Sequence, residues 1–356
     1  MPPRATLTVD LGKIRENTRT VVAHLPGISV VAVTKVTGGS PQVARAMLAG
    51  GAGAIGESRL ENAERLRNAG ISAPIWLLRS PVPELAGEVV QLTDVSLESE
   101  LETVVALDNA ASAAGRRHAV VAMVDLGDLR EGMLPKDLPA FLERLNAMDH
   151  VDIAGIGVNL TCYGAIVPDE RNLGELARLA EQSVRQLGRP LLVSGGNSGS
   201  IGMVTSGRMP AAVDNLRIGE TIVLGVDTLT REPALGLHLD AVTVTAPVIE
   251  CLVKPSLPQG TIAQDAYGNV PSFTDRGDRR RAICALGRQD APAEGLRPVD
   301  PRVEVLGASS DHLIIDVDAL ERPLRLGESV TFVPTYAATL QLFMSPYVQK
   351  VFTPPA

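Results

Sequence analysis

Three cysteines in 356 residues, Cys162, Cys251 and Cys284, are too few and too scattered for a disulfide framework or a zinc knuckle. Their odd number favours reduced thiols. His24, His118, His150 and His238 lie within strand or helix patterns at no metal-ligand spacing, which points to structural roles and to no bound metal. Long apolar runs are also missing. The longest, such as residues 119–124, are strand-sized, far short of the roughly 18 residues that a membrane span needs. Met1-Pro2-Pro3-Arg4 opens without an apolar targeting core, so the chain is expected to be mature from its start and cytoplasmic. Basic residues are in deficit, 33 Lys and Arg against 41 Asp and Glu for a net charge of −8, which argues against a nucleic-acid-binding face and suits a cationic small substrate. No repeat and no low-complexity segment is present.

What the chain does have is a rhythm. Residues 28–34 (ISVVAVT) form a buried-strand pattern, and residues 41–49 follow with Val43, Met47 and Leu48 on one helical face. Strand-like runs recur at 52–55, 74–78, 95–97, 118–124, 151–158, 190–193, 215–218 and 222–224, with helical stretches between them. About eight βα units predict a closed (β/α)8 barrel of the TIM type over residues 11–234, with a doubly wound open sheet as the alternative. Near Leu235 the pattern changes. Residues 238–253 alternate with period two, and 281–286, 303–306, 312–317 and 329–333 repeat the theme, so residues 235–356 are expected to form a mostly antiparallel β domain. A helix is expected only at 340–347. The opening alternation within residues 1–10 is expected to pair with that β domain.

Catalytic groups of such a barrel sit where its strands end. Lys35 ends the first strand: it either snorkels to solvent or is a desolvated amine able to form a Schiff base. Residues 194–200 (SGGNSGS) are either a flexible turn or a loop whose backbone N–H groups and hydroxyls cradle a phosphate. Arg217, in Leu216-Arg217-Ile218-Gly219-Glu220, either pairs with Glu220 or Asp214 or faces a ligand. Together the three sites suggest a phosphate-bearing carbonyl cofactor held by a lysine.

Val31-Ala32-Val33-Thr34-Lys35, the Asn197-Ser198 turn and Leu216-Arg217-Ile218-Gly219 resemble the pyridoxal-phosphate enzymes of the alanine racemase fold, over nearly the whole chain. Residues 123–132 (MVDLGDLREG), 157–164 (GVNLTCYG) and 309–312 (SSDH) are similar to the ornithine racemase branch in particular. The resemblance implies an amino-acid racemase using pyridoxal 5'-phosphate, with Lys35 as Schiff-base lysine and one of two acid/base groups. Ser198 and the backbone of Gly219 and Glu220 would receive the phosphate. Arg217 would face the pyridine nitrogen; an arginine keeps its proton, which favours racemisation over decarboxylation. Arg130 would lie near the cofactor ring oxygen and the substrate carboxylate, and Asn159 against the ring. A homodimer with shared active sites is implied, with no nucleic acid and no membrane as partners.

The second acid/base is less determined. The family's tyrosine in Gly-Tyr-Ala-Asp is replaced here, where the stretch reads Gly287-Arg288-Gln289-Asp290. Arginine is a poor proton acceptor, its pKa exceeding about 12. The expected replacements are Tyr267, Asp311 and His312, with Cys162 as a further candidate and Ser310 and Asp311 expected to touch substrate. Asp290, Asp311 and Glu131 are candidates for the distal ammonium of a basic substrate. The family's lysine before Asp-x-Gly is Met123, and its phosphate-contacting tyrosine is Gly39. The alternatives are a racemase of alanine, serine, lysine or arginine, or a non-catalytic pyridoxal-phosphate-binding protein.

Overall fold

The computed structural model describes residues 4–354, so the first and last few positions of the two expected domains lie outside the described residues. It begins with strand β1 (Thr6–Asp10) and helix α1 (Leu11–Ala23). Eight strands follow: β2 (Ser29–Val33), β3 (Ala54–Glu57), β4 (Ile75–Leu77), β5 (Val95–Glu98), β6 (His118–Val124), β7 (Val151–Val158), β8 (Leu192–Asn197) and β9 (Asn215–Ile218). They are parallel and close into a barrel, β9 returning to β2 with Arg217 beside Val31. Between them run α2 (Pro41–Ala49), α3 (Leu60–Asn68), α4 (Ala86–Leu92), α5 (Leu101–Ala113), α6 (Leu138–Asn146), α7 (Glu170–Leu187) and the short α8 (Ile201–Thr205), and α9 (Glu220–Leu224) follows the last strand. The barrel is the expected (β/α)8 architecture.

The strands are apolar on both faces because both are covered. Inside the barrel, Val31, Ala54, Trp76, Val95, Leu97, Val121 and Met123 pack on one another, so Met123 fills the interior as a plain hydrophobe. Outside it, Leu77, Val120, Ala122 and Val124 pack against α4, α5 and α6 through Val89, Leu107 and Leu142. This division, which follows the period-two pleat, decides which strand-end side chains reach the barrel mouth.

Two expectations about the barrel are corrected. Residues 222–224 are helix, not strand: the Gly219 carbonyl accepts from Val223 N at 3.1 Å, and Gly225, at φ +72°, ends the turn. Residues 194–197 are not a turn but the end of β8, and only Ser198–Ser200 turn, capped by Asn197 Oδ1 accepting from Gly199 N at 2.8 Å.

The chain divides at His238/Leu239, and the second unit joins Leu239–Pro354 to the N-terminal strand. It holds β10 (Val242–Pro255), β11 (Asp278–Cys284), β12 (Leu296–Pro298), β13 (Glu304–Ala308), β14 (Leu313–Asp316), β15 (Ser329–Pro334), helix α10 (Tyr336–Met344) and β16 (Gln349–Thr353). Their order is β12-β15-β10-β11-β14-β13, and β1 pairs antiparallel with β10 and parallel with β16. Among the described residues no helix is long and apolar enough to cross a membrane.

Candidate active site

Lys35 is half-buried and opens a 3-10 turn, Lys35–Thr37, directly after β2. The turn is tight because Thr37 N and Gly39 N both donate to the Thr34 carbonyl, at 3.0 and 3.2 Å, and Gly38 sits at φ +59°. Gly39 has φ +64°, and a Cβ there would lie 2.6 Å from the Cβ of Asn62. Glycine at this position therefore lets α3 close over the turn, and a larger residue would push it away.

Arg217 is 4% exposed on β9. Its register partner Val31 faces the barrel interior, so the guanidinium points there too. It donates to Ser194 Oγ and to the Val158 carbonyl, the latter at 2.7 Å. Neither carboxylate that might have claimed it does so: Glu220 pairs with Arg231, and Asp214 Oδ1 accepts from Val193 N at 2.8 Å. Burial pulls Arg217 down to about 10, partly offset by Glu131, so it stays charged at neutral pH.

Ser198, buried, accepts from Gly219 N at 3.3 Å and from Thr221 N at 3.4 Å, which gathers a hydroxyl and backbone N–H groups where β8 and β9 end. Glu220 lies at the start of α9; burial raises its carboxyl, while the charges of Arg231 and Lys35 oppose the rise. The loop after β6 brings Arg130, bound to the carboxylate of Glu131. With its amide oriented to satisfy its neighbours, Asn159 Oδ1 accepts from Arg130 Nη2 at 3.1 Å and from Leu160 N at 3.3 Å. Asn197 donates to the Leu160 carbonyl at 2.7 Å and reaches Cys162 Sγ at 3.3 Å. All these groups follow or end parallel strands at their C-terminal side, the end where barrel chemistry resides.

The remaining sequence candidates gather within the β unit. Arg288 N and Gln289 N donate to the Ser309 and Ser310 carbonyls at 2.9 and 3.1 Å, and Gln289 Nε2 donates to Asp311 Oδ1 at 3.0 Å. Gly287 permits this strap, since a Cβ would lie 2.0 Å from the Ser310 oxygen. His312 is exposed beside Ser309, and Tyr267 lies under Arg288. Two candidates for a substrate ammonium are already engaged: Asp290 is buried and accepts from Ser345 Oγ at 2.6 Å, and Glu131 holds Arg130.

Two acids to which the sequence assigned no role, Asp128 within the 123–132 stretch among them, also stand at strand ends or in the loops beyond them. Glu57, at the end of β3, is 0% exposed and accepts from Thr34 Oγ1 at 2.5 Å and Asn62 Nδ2 at 3.0 Å. Asp128 is buried and accepts from Tyr163 N and Gly164 N at 3.1 and 3.0 Å, stitching the loops after β6 and β7. For Glu57 the sequence does hold one signal, an acid ending an apolar run, the same feature that marks Lys35.

A closed (β/α)8 barrel with an amine and an arginine at its mouth, followed by an antiparallel β unit, is the architecture of alanine racemases. The structure aligns with alanine racemase from Streptomyces lavendulae at a TM-score of 0.76, with 21% identity, over 99% of this chain and 98% of that one. Alanine racemase from Bartonella henselae with covalently bound pyridoxal phosphate gives the same TM-score at 19% identity, over 99% and 100% of the two chains. A family model for the alanine racemase N-terminal domain matches residues 9–226. The ornithine racemase of Acetoanaerobium sticklandii is 37% identical over 97% of this chain and 98% of its own length. The lysine racemase of Thermotoga maritima is 38% identical over 98% of both. This chain belongs to the alanine racemase family.

Proposed function

We propose that this protein interconverts the L and D forms of a basic amino acid, ornithine or lysine, with pyridoxal 5'-phosphate as cofactor. The observation that carries the reading is Arg217, a buried guanidinium free of any carboxylate at the barrel end that also presents Lys35. The names of two relatives that match over almost their full length support the substrate class.

The donor set fits the cofactor: one primary amine, one buried guanidinium, and a hydroxyl with backbone N–H groups for a phosphate. Lys35 would hold its aldehyde carbon, Ser198 with the backbone of Gly219 and Glu220 its phosphate, and Arg217 its ring nitrogen. When bound, pyridoxal phosphate withdraws electrons from the substrate and acidifies its Cα–H. Arg217 can donate a hydrogen bond to the ring but keeps its own proton, which moderates that withdrawal. Arg130, steadied by Asn159, binds the substrate carboxylate. The Lys35 amine takes or returns the Cα proton on one face.

Racemisation needs a second group on the other face. We assign it to Tyr267, Asp311 or His312, contributed by the β unit of a second copy in a homodimer, with Ser310 and Asp311 touching substrate. Asp311 is exposed and is the one ammonium candidate of the three named acids not taken up by a buried hydroxyl or an arginine. Three free thiols among the described residues suit a reducing, cytoplasmic setting.

The test is the absorbance spectrum of the purified protein, then incubation with L-ornithine and L-lysine in deuterated water. The expected result is a lysine-bound cofactor band, deuterium at Cα, and accumulation of the D form. Faster turnover of alanine or serine would overturn the substrate class. A band without exchange for any amino acid would overturn the racemase reading, and no band after supply of the cofactor would overturn the role of Lys35.

A further inference from the structure

The turn that carries Lys35 is suspended from one residue. Thr34 donates its N–H to the Gly56 carbonyl at 3.1 Å, and its own carbonyl accepts from Thr37 N, Thr37 Oγ1 and Gly39 N at 3.0, 2.9 and 3.2 Å. Its hydroxyl donates to Glu57 Oε1 at 2.5 Å. The other oxygen of Glu57 accepts from Asn62 Nδ2 at 3.0 Å and from Ser58 N at 3.3 Å. Both oxygens of Glu57 are thus engaged, one by Thr34 and the other by Asn62 and Ser58.

Asn62 closes the far side. It packs against Gly39, and its Oδ1 accepts from Arg65 at 3.0 Å, while Arg65 also donates to the Gly38 carbonyl. Glu57 is thus the junction of a clamp that grips the residue before Lys35 and, through Asn62 and Arg65, the glycines that end the same turn. It faces away from the barrel interior: a Cβ on its neighbour Gly56 would meet Leu78, Val33 and Val31 at 3.0, 3.1 and 3.2 Å, so the pleat turns Glu57 to the other side. A buried carboxylate is costly to keep. Its burial raises the Glu57 carboxyl above the usual range, opposed by the Thr34 and Asn62 hydrogen bonds and by the Lys35 charge.

We propose that Glu57 is a positioning residue for Lys35, fixing through Thr34 and Asn62 the turn from which the amine reaches the cofactor and the substrate Cα. The inference rests on the reading of Lys35 as the cofactor-binding amine. Displacement of a reacting group by about 1 Å costs on the order of a hundredfold in rate.

The experiment compares holoenzymes carrying Thr34→Val, Thr34→Ser, Glu57→Gln and the Thr34→Val/Glu57→Gln pair. Four quantities are read: thermal midpoint, kcat and KM with L-ornithine, and the rate at which hydroxylamine strips the lysine-bound absorbance band. Valine keeps the threonine shape without the hydroxyl, and serine keeps the hydroxyl. The expected result is a kcat lower by about ten- to a hundredfold in Thr34→Val and Glu57→Gln. KM should stay within about twofold while stripping becomes faster, and Thr34→Ser should match the parent. The double variant should lose less than the two single losses combined, because both variants loosen the same clamp on the turn. Valine equal to threonine in kcat and stripping, or fully additive losses, would overturn the proposal. If Glu57→Gln does not fold, the valine and serine variants decide alone. A parent protein that forms no lysine-bound band would instead overturn the functional reading, and this inference with it.

Discussion

The guanidinium of Arg288 lies over the ring of Tyr267, 5.3 Å from its centroid. Arg288 belongs to the stretch Gly287-Arg288-Gln289-Asp290, where the resemblance leads one to expect a tyrosine, and the ring it covers is that of Tyr267, one of the three groups proposed for the second face. The arginine is fixed by the Ala308 carbonyl at 3.1 Å and by Glu294, and Tyr267 N donates to Asp265 Oδ1 at 2.8 Å, which sets the loop. The phenol is 47% exposed and hence reachable.

The first prediction follows from that pair. Tyr267→Phe should lower racemisation by about 10²–10⁴-fold, the usual contribution of a positioned acid or base. Exchange of the Cα proton with solvent should persist for the enantiomer whose proton faces Lys35, since only one face loses its group. Proton NMR of D- and L-ornithine in deuterated water separates the two. If Asp311→Asn or His312→Gln gives this one-sided pattern and Tyr267→Phe does not, the assignment moves to that residue.

Arg217 supplies a second. Its two arms reach Ser194 Oγ and the Val158 carbonyl from one planar group, a fork that a single ammonium cannot reproduce. Arg217→Lys should therefore leave one buried acceptor unmet and cost about 1–3 kcal/mol in urea unfolding. Cofactor retention on gel filtration should fall in parallel. A variant as stable as the parent would mean that the fork is not what holds Arg217.

Gly39 gives a third, because its place is set by sterics rather than chemistry. Gly39→Ala must accept φ +64° and a Cβ 2.6 Å from that of Asn62, so a loss of about 1–3 kcal/mol is expected. Pairing it with Asn62→Gly removes the clash but leaves the strained φ. The double variant should then lose less than the sum of the two single losses, measured by thermal unfolding. Strict additivity would show that α3 does not press on the turn.

These residues also mark how far the sequence could be read. The alternation of strands and helices, the lysine at a strand end and the arginine two positions before Gly219 are local signals, and each needs only a short window. The misreading of residues 222–224 has a local cause as well: Ile222, Val223 and Leu224 look like a strand, but the Gly219 carbonyl captures Val223 N and starts a helix. Glu57 and Glu98 end apolar runs just as Lys35 does. Their roles depend on the pleat, which turns them away from the barrel interior. That Leu97 and Val121 face inward while the Glu98 partner Ala122 faces the helices is a fact of register, not of composition. The junction of Glu57 with Asn62, Arg65 and Gly38 brings three elements together and has no signature in any one of them.

Glu98 leads to the last prediction. It is 0% exposed, and neither of its oxygens has a hydrogen-bond partner. Burial pushes its carboxyl up to about 7, tempered by the nearby hydroxyls of Ser96 and Ser80. Ser96 Oγ in turn lies 3.0 Å from Nε2 of buried His118, which burial pulls down to about 4. The two groups act on stability with opposite sign. From pH 4.5 to 7 the folded Glu98 holds a proton that the unfolded chain has released, so this group lowers stability as pH rises and reaches its limit above about 7. From about 4 to 6.5 the unfolded His118 binds a proton that the folded one refuses, so this group raises stability as pH rises. Each is worth up to about 3 kcal/mol, because every tenfold change in proton affinity between the folded and unfolded chain corresponds to about 1.4 kcal/mol. In the parent protein they nearly cancel between pH 4.5 and 6.5. Glu98→Gln removes one side, so its stability should climb by about 2–3 kcal/mol across that range and then exceed the parent above pH 7. His118→Gln should do the reverse, losing stability from pH 4.5 to 7. Urea unfolding at half-unit steps of pH measures both slopes, and a Glu98→Gln slope equal to that of the parent would show that this carboxyl binds its proton alike in the folded and unfolded protein.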